Sequence, residues 1–241
     1  MAKHLIIPDI HERLDKLEKA LTHAGKADFI IQLGDWFDSF DRYSEERIRD
    51  VCRKLNQICY GYRWEDGDLG SKIIPTTMLL GNHDCHYFFD NPQFACSGYH
   101  PSKKFLIKEL IPLETIRRFK LYAKVGPYLI SHAGFNSVTI QYADPIICAH
   151  AIQDAMIERF DPLFGAGRAR GGNQKYGGPT WLDWQEEFEA LETPQIVGHT
   201  NGKEVRTKQT GDGVKSYCLD TALHHCAMLD DVTGEVEIIE L

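Results

Sequence analysis

The sequence predicts an α/β fold, and three observations carry that expectation. From His4 to Leu80, short apolar runs of strand character alternate with segments of helical periodicity. Five apolar runs along the chain each deliver Asp, Asn or His at their C-terminal end, the edge of an α/β sheet where ligands bind. There is no repeat, low-complexity tract or clear linker, so residues 1–241 are expected to form a single domain.

Each element has a local reason. His4 to Pro8 is a short apolar strand. Glu12 to His23 places Leu14, Leu17 and Leu21 at helical spacing, and Gly25 is a plausible stop. Asp28 to Leu33 reads as a second strand. A Ser44 cap and the acidic first turn Glu45-Glu46 start a helix that runs to about Tyr60. Lys72 to Leu80 (KIIPTTMLL) reads as a third strand, followed by a turn at Gly81. Pro101 to Phe119 predicts a helix in two pieces, broken at Pro112. Lys120 to Gly134 predicts two strands joined by Gly126-Pro127. A helix is expected over Pro145 to Phe160, and the aperiodic Gly165–Gly178 stretch reads as a mobile loop. Pro194 to Thr200 is a strand ending on His199. The tail from Lys215 reads as consecutive antiparallel strands, with Thr233-Gly234 in the last turn.

Composition narrows the function classes. A formal net charge of -8 opposes non-specific attraction to a nucleic-acid backbone, so no long duplex partner is expected. The 7 cysteines are scattered, without a Cys-x-x-Cys pair, which argues against a disulfide framework and against an all-cysteine zinc knuckle. The apolar run of MAKHLIIPDIH is too short for a signal peptide or a membrane span. The plain reading is a soluble cytoplasmic protein with no membrane partner; the sequence specifies no oligomeric state.

The chemistry sits at the strand ends: Asp9 and His11, then Gly34-Asp35 with Asp38, then Gly81-Asn82-His83-Asp84, then His132, then Gly198-His199-Thr200. One Asp-x-His pair is usually a turn. Five such ends in one chain are not, because Asp, Asn and His share O and N donors suited to divalent metals. There are enough donors for two ions. Asp9 and His11 can hold one, Asn82, His132 and His199 the other, and Asp35, with two carboxylate oxygens, can bridge them. Two metals about 3.5–4 Å apart are a hydrolytic arrangement for phosphate esters.

Asp-x-His, Gly-Asp-x-x-Asp, Gly-Asn-His-Asp, His-Ala-Gly and Gly-His-Thr, in this order from Pro8 to Thr200, resemble the calcineurin-like metallophosphoesterase superfamily. Within it the chain is most similar to the serine/threonine phosphoprotein phosphatase branch and its bacterial relatives, including diadenosine-tetraphosphate hydrolases. The segments GPTWLDW and YCLDTAL support that branch. The resemblance implies a sandwich of two mixed β-sheets flanked by helices (α/β/β/α) and the ligand set given above. It implies two divalent ions, Mn2+ first, with Fe, Zn, Co or Ni as alternatives for an O/N donor set. It casts His83 as the general acid that protonates the leaving alcohol while a metal-bridging hydroxide attacks phosphorus, and Asp38 as the carboxylate that orients His83. Asp84 is expected to act as a cap.

Two positions depart from the pattern. Ser39-Phe40 replaces the Arg-Gly that usually follows Gly-Asp-x-x-Asp, which removes a phosphate-clamping arginine, and Glu12 stands where the family prefers Gly. Replacement charge is expected from Arg168 or Arg170, swinging in from the glycine-rich loop, with Lys175 in the same loop and Arg42 as further candidates. The run Lys103, Lys104, Lys108, Arg117, Arg118 and Lys120 reads as a solvated helix face. Tyr87, Phe88, Phe89 and Phe94 read as core.

The expected activity is hydrolysis of phosphomonoesters, on a phosphoprotein or a small nucleotide. The alternatives are a phosphodiesterase or pyrophosphohydrolase acting on dinucleoside polyphosphates, cyclic nucleotides or nucleic-acid ends, and a non-catalytic metal-bearing scaffold.

Overall fold

Side chains in the central strands alternate between two cores, and this alternation dictates layers on both faces. Leu5 and Ile7 join one buried cluster while Ile6 between them joins another; Ile30 and Ile31, and Met78 and Leu79, divide in the same way. The structure, a computed structural model, describes residues 1–39, 41–66, 70–211 and 213–241. Phe40 therefore lies outside the described residues.

The chain opens with β1 (Lys3–Ile7), α1 (Leu14–Leu21), β2 (Phe29–Gln32) and α2 (Glu45–Ile58). Next come β3 (Tyr62–Asp66), β4 (Gly70–Ile74), β5 (Thr76–Leu79) and α3 (Asn82–Phe88). The middle contains α4 (Pro101–Leu110), α5 (Leu113–Ile116), β6 (Phe119–Lys120), β7 (Tyr122–Val125), β8 (Tyr128–Ser131) and α6 (Pro145–Met156). The last strands are β9 (Gln195–Val197), β10 (Arg206–Gln209), β11 (Lys215–Cys218), β12 (His225–Asp230) and β13 (Val236–Glu240).

Besides a two-stranded sheet of β3 and β4, there are two large sheets, one with the order β13-β12-β1-β2-β5-β6 and a second with the order β10-β11-β9-β8-β7. Both are mixed. β1, β2, β5 and β6 run parallel, with β12 and β13 antiparallel at the other edge. In the second sheet β8, β9 and β11 run parallel, with β7 and β10 antiparallel outside them. Ile6, Ile31, Leu33 and Leu79 from the first sheet meet Ile130 and Ile196 from the second in one core. The opposite face of the first sheet packs on Leu17 and Leu21 of α1 and Val51 and Leu55 of α2. The expected α/β sandwich of two mixed sheets flanked by helices is what the chain forms.

Some expectations need correcting. The run from Lys72 to Leu80 is two strands, because Pro75 has no N–H to continue one ladder. Its first half pairs with β3 and its second half with β2. The tail is divided between sheets: β11 pairs with β9 and β10, whereas β12 and β13 complete the first sheet. The helix expected from Glu12 starts at Leu14, since Glu12 has a left-handed φ of 63°. After Gly81 the chain turns directly into α3, whose first residue is Asn82. By contrast, Ser44 caps α2 as expected, its Oγ accepting from Arg47 N at 3.3 Å.

Candidate functional site

The strand ends β1, β2, β5, β8 and β9 open onto a common edge, and their backbones are unusual there. His11, Asp35, Asp38 and His199 all have left-handed φ values, of 45°, 53°, 68° and 64°. Each such residue outside glycine costs on the order of 1–3 kcal/mol, and this kind of strain clusters at functional sites. The first two loops are laced together: His11 N donates to Asp35 O at 2.8 Å and Glu12 N to Trp36 O at 2.9 Å. Glycines permit the close approach of the others. A Cβ on Gly81 would fall 2.1 Å from Asp35 Oδ1, and one on Gly198 would fall 2.0 Å from Asp9 Oδ1.

All six predicted metal ligands come together. Asp9, His11 and Asp35 form one group of convergent donors, and Asp35, His132 and His199 form another. Asp35 belongs to both. His11 Nε2 lies 3.7 Å and His132 Nε2 3.4 Å from Asp35 Oδ2. His132 Nε2 also lies 3.0 Å from Asn82 Oδ1 and 3.2 Å from His199 Nδ1. Donors bound about 2.0–2.2 Å from one ion stand at comparable spacings from one another. Backbone carbonyls fix two of the rings: His11 Nδ1 is 3.0 Å from Phe37 O and His132 Nδ1 is 2.8 Å from Leu33 O. The Nε2 atoms are left to face the carboxylates.

Electrostatics fits a cation. Burial pushes the Asp9 carboxyl well up, reinforced by Asp220; burial, then Asp9 and Asp84, does the same to Asp35. Burial holds the histidines neutral, His11 at about 4, His132 at about 3 and His199 well below the usual range. Buried carboxylates that repel one another, ringed by neutral imidazole lone pairs, make an O/N donor set that a divalent ion suits. Asp220 was not among the predicted site residues; its only sequence signal is the strand ending in Leu219-Asp220.

His83 stands beside this cluster. Its backbone N–H donates to Asp35 Oδ1 at 2.9 Å, and its Nδ1 is 2.9 Å from Asp38 Oδ2. A carboxylate only accepts, so His83 Nδ1 carries the proton that faces Asp38. Burial raises the Asp38 carboxyl, but His83 and His86 outweigh it and hold the group far below the carboxylate range. Asp84 is a cap, as expected: its carboxylate accepts from Asp35 N and Trp36 N at 2.8 Å and from Gly81 N at 3.1 Å.

The surroundings of Asp38 were not visible in the sequence. His86 is 1% exposed, with Nε2 2.7 Å from Asp38 Oδ2. Lys103 is not part of a solvated face. It is buried, with Nζ 2.7 Å from Glu12 Oε1 and 3.1 Å from Asp38 Oδ1. Tyr87, in the core as expected, donates its hydroxyl to Asp38 Oδ1 at 2.5 Å.

The two loop arginines separate. Arg168 is exposed and away from these contacts. Arg170 reaches the edge: its Nη2 donates to Thr200 Oγ1 at 2.7 Å and its Nε lies 2.8 Å from Asp183 Oδ2. Its charge contributes to lowering His132 and His199. The loop is fastened rather than free. Buried Glu187 accepts from Gly177 N at 2.8 Å and Ala169 N at 3.3 Å, so Arg170 needs no swing to arrive.

Among solved structures, the chain is similar to a cold-active protein-tyrosine phosphatase of a psychrophilic Shewanella species, at 17% identity and TM-score 0.64, over 100% of this chain and 81% of that one. It is also similar to a protein serine/threonine phosphatase from Saccharomyces cerevisiae, at 14% identity and TM-score 0.50, over 100% and 80%. At these identities the likeness is one of fold. No curated protein matches the chain. The family model described as calcineurin-like phosphoesterase matches residues 2–203, a span that contains Asp9, His11, Asp35, Asn82, His83, His132 and His199. The chain thus belongs to the calcineurin-like phosphoesterases and is a metal-dependent hydrolase of phosphoric esters.

Proposed function

We propose that the chain hydrolyses phosphomonoesters in the cytoplasm as one domain, residues 1–241, using two divalent ions, Mn2+ first. One observation carries this reading: the Asp35 carboxylate is common to two donor groups, with the Asp38-held His83 beside it. Asp9, His11 and Asp35 would hold one ion, and Asp35, Asn82, His132 and His199 the other. When bound, the ions supply Lewis acidity toward phosphate and water.

The chain's own residues do the rest. Phe37 O and Leu33 O fix the His11 and His132 rings, so their Nε2 atoms meet Asp35 without reorganisation. Asp38 holds the His83 Nδ1 proton, which aims Nε2 outward to protonate the leaving alcohol. Arg170, tied to Asp183 and Thr200, meets charge on the outward phosphate oxygens, replacing the arginine that Ser39 displaced.

The test is a Mn2+-loaded panel: an aryl monoester, a bis-aryl diester, a phosphopeptide and a dinucleoside tetraphosphate. The aryl monoester and the phosphopeptide should turn over faster than the other two. Preference for the diester or the tetraphosphate would overturn the monoesterase assignment. Inactivity toward all four would favour a scaffold.

A further inference from the structure

Where the chain leaves the first large sheet for the second, a space remains between the sheets and α6. β6, two residues long, ends the first sheet, and the chain passes through Leu121 alone into β7, the edge of the second. The space is an open cavity of about 1340 Å³. Ile31, Phe119, Val125 and Leu129 wall it from the sheets, and Cys148 and Ile152 from the helix, all of them buried. Its lining runs from Pro145 at the start of α6 to Met156 at its end, about 18 Å for a helix of 12 residues. Small-molecule sites commonly enclose about 300–1,000 Å³, so there is room for a long ligand. The cavity shares no residue with the candidate site. His4, Phe29, Thr77 and Leu129 line it from the starts of β1, β2, β5 and β8, whose far ends lead to Asp9, Asp35, Asn82 and His132.

Charge narrows what the cavity takes. The chain has 35 Asp and Glu against 27 Lys and Arg, yet Arg117, Lys120 and Lys124 line the cavity and, among the described residues, no acidic side chain does. All three cations are exposed, and among the described residues none of them makes an ion pair. His4 adds a buried ring nitrogen, Nδ1, without a hydrogen-bond partner. Two large apolar side chains of the lining, Phe29 and Ile157, stay 39% and 62% exposed. Exposed apolar surface rimmed by polar groups marks a binding site. Deep apolar walls with unpaired cations call for a ligand with an apolar body and an anionic head.

We propose that this cavity binds a long-chain fatty acid, its hydrocarbon chain lying along α6 between the sheets and its carboxylate met by the cations of the lining. A single extended chain suits a trench of this length. A flat lipid surface does not, because it cannot reach Ile31 and Leu129 at the bottom, which are almost fully buried.

Calorimetric titration of the Mn2+-loaded protein, freed of excess ion, with octanoate, decanoate and laurate below their micelle concentrations tests the site. Laurate should bind once per chain, and affinity should rise about 4-fold for each added methylene, the scale of burying it in apolar surroundings. Ala149 and Gln153 are exposed, lie one turn apart on α6, and both line the cavity. Ala149→Trp and Gln153→Trp should each fill part of it and weaken laurate about 10–100-fold, the scale of overpacking, with circular dichroism unchanged. Replacing Arg117, Lys120 and Lys124 together by Gln should weaken laurate about 10–100-fold, the scale of a lost hydrogen bond to a charged group. No saturable binding to the wild type overturns the proposal. So does an affinity unchanged in both tryptophan variants, which would put laurate elsewhere, as on ions at the Asp35 cluster. An affinity unchanged by loss of the cations overturns the anionic class. Absent laurate binding, with a wild-type dimer in sedimentation that Ala149→Trp dissociates, would assign the face to a second copy of the chain instead.

Discussion

Glu12 binds together features that look unrelated in the sequence. Its carboxylate accepts from Asp38 N at 3.0 Å, Ser39 Oγ at 2.9 Å, Arg47 Nε at 2.8 Å and Lys103 Nζ at 2.7 Å. The two departures from the family pattern, Glu12 and Ser39, therefore touch each other. Burial raises the Glu12 carboxyl, but Lys103, Ser39 and Arg47 outweigh it and keep the group low, so it is an anion bracing the Asp38 loop. Glu12→Gln should leave Lys103 and Arg47 short of a charge. Breaking a buried pair costs about 3–5 kcal/mol, and the Asp38 contact retained by Lys103 favours the lower end. Urea denaturation should show that loss with metal content unchanged; a variant as stable as wild type would refute the bracing role. His83→Ala should keep its metals and lose about 10²–10⁴-fold in rate, less for good leaving groups. Metal analysis showing an emptied site would reassign His83 as a ligand. The candidate ligands were legible because each sits in a short motif at a strand end. The brace was not: Glu12 and Lys103 are 91 positions apart, and Lys103 sits in a lysine pair that looks like any solvated helix.

Strand ends and loops carry the candidate site, and their glycines and arginines can be tested as parts of elements. Gly81→Ala and Gly198→Ala drive a methyl into Asp35 and Asp9 respectively. Both variants should lose metal and activity together while retaining their far-ultraviolet circular dichroism. Gly211→Ala, with nothing within 4 Å of the added carbon, is the matched control. Full metal content in Gly81→Ala would mean that the loops do not need this approach. In the 165–178 loop, Arg170→Ala should lower kcat/KM by roughly one to three decades, the scale of a lost charged phosphate contact, with Lys rescuing only partly. Arg168→Ala should be near wild type, and equal losses at both positions would point to general charge rather than a clamp. Element periods were readable where residues repeat locally, as in α2. They failed where pairing is decided at a distance: at Pro75, where one apolar run serves two sheets, and in the loop, whose order comes from Glu187 rather than from any periodicity of its own.

Across the whole molecule, the proposed ligands join the two sheets. Asp9, His11, Asp35 and Asn82 follow strands of the first sheet, and His132 and His199 follow strands of the second. Ions bound there would cross-link the sandwich at one edge. Without them that edge holds Asp9, Asp35, Asp84 and Asp220, each no more than 2% exposed, in a chain already at -8. Chelation should therefore lower the thermal midpoint. A ligand at about 100 times its Kd stabilises by roughly 2.7 kcal/mol. At about 2–4 °C per kcal/mol for a chain of this size, that is a loss of roughly 5–10 °C. Asp35→Asn sharpens the test. It removes the shared carboxylate, so added Mn2+ should barely raise its midpoint. It also keeps an oxygen for the His83 N–H while relieving carboxylate crowding, so its metal-free form should melt above metal-free wild type. Calorimetry of the two proteins, each with EDTA and with Mn2+, should give midpoints in the order wild type with Mn2+, Asp35→Asn in either condition, wild type with EDTA. If chelation shifts both proteins equally, metal binding does not run through Asp35, and the two donor groups are not one centre.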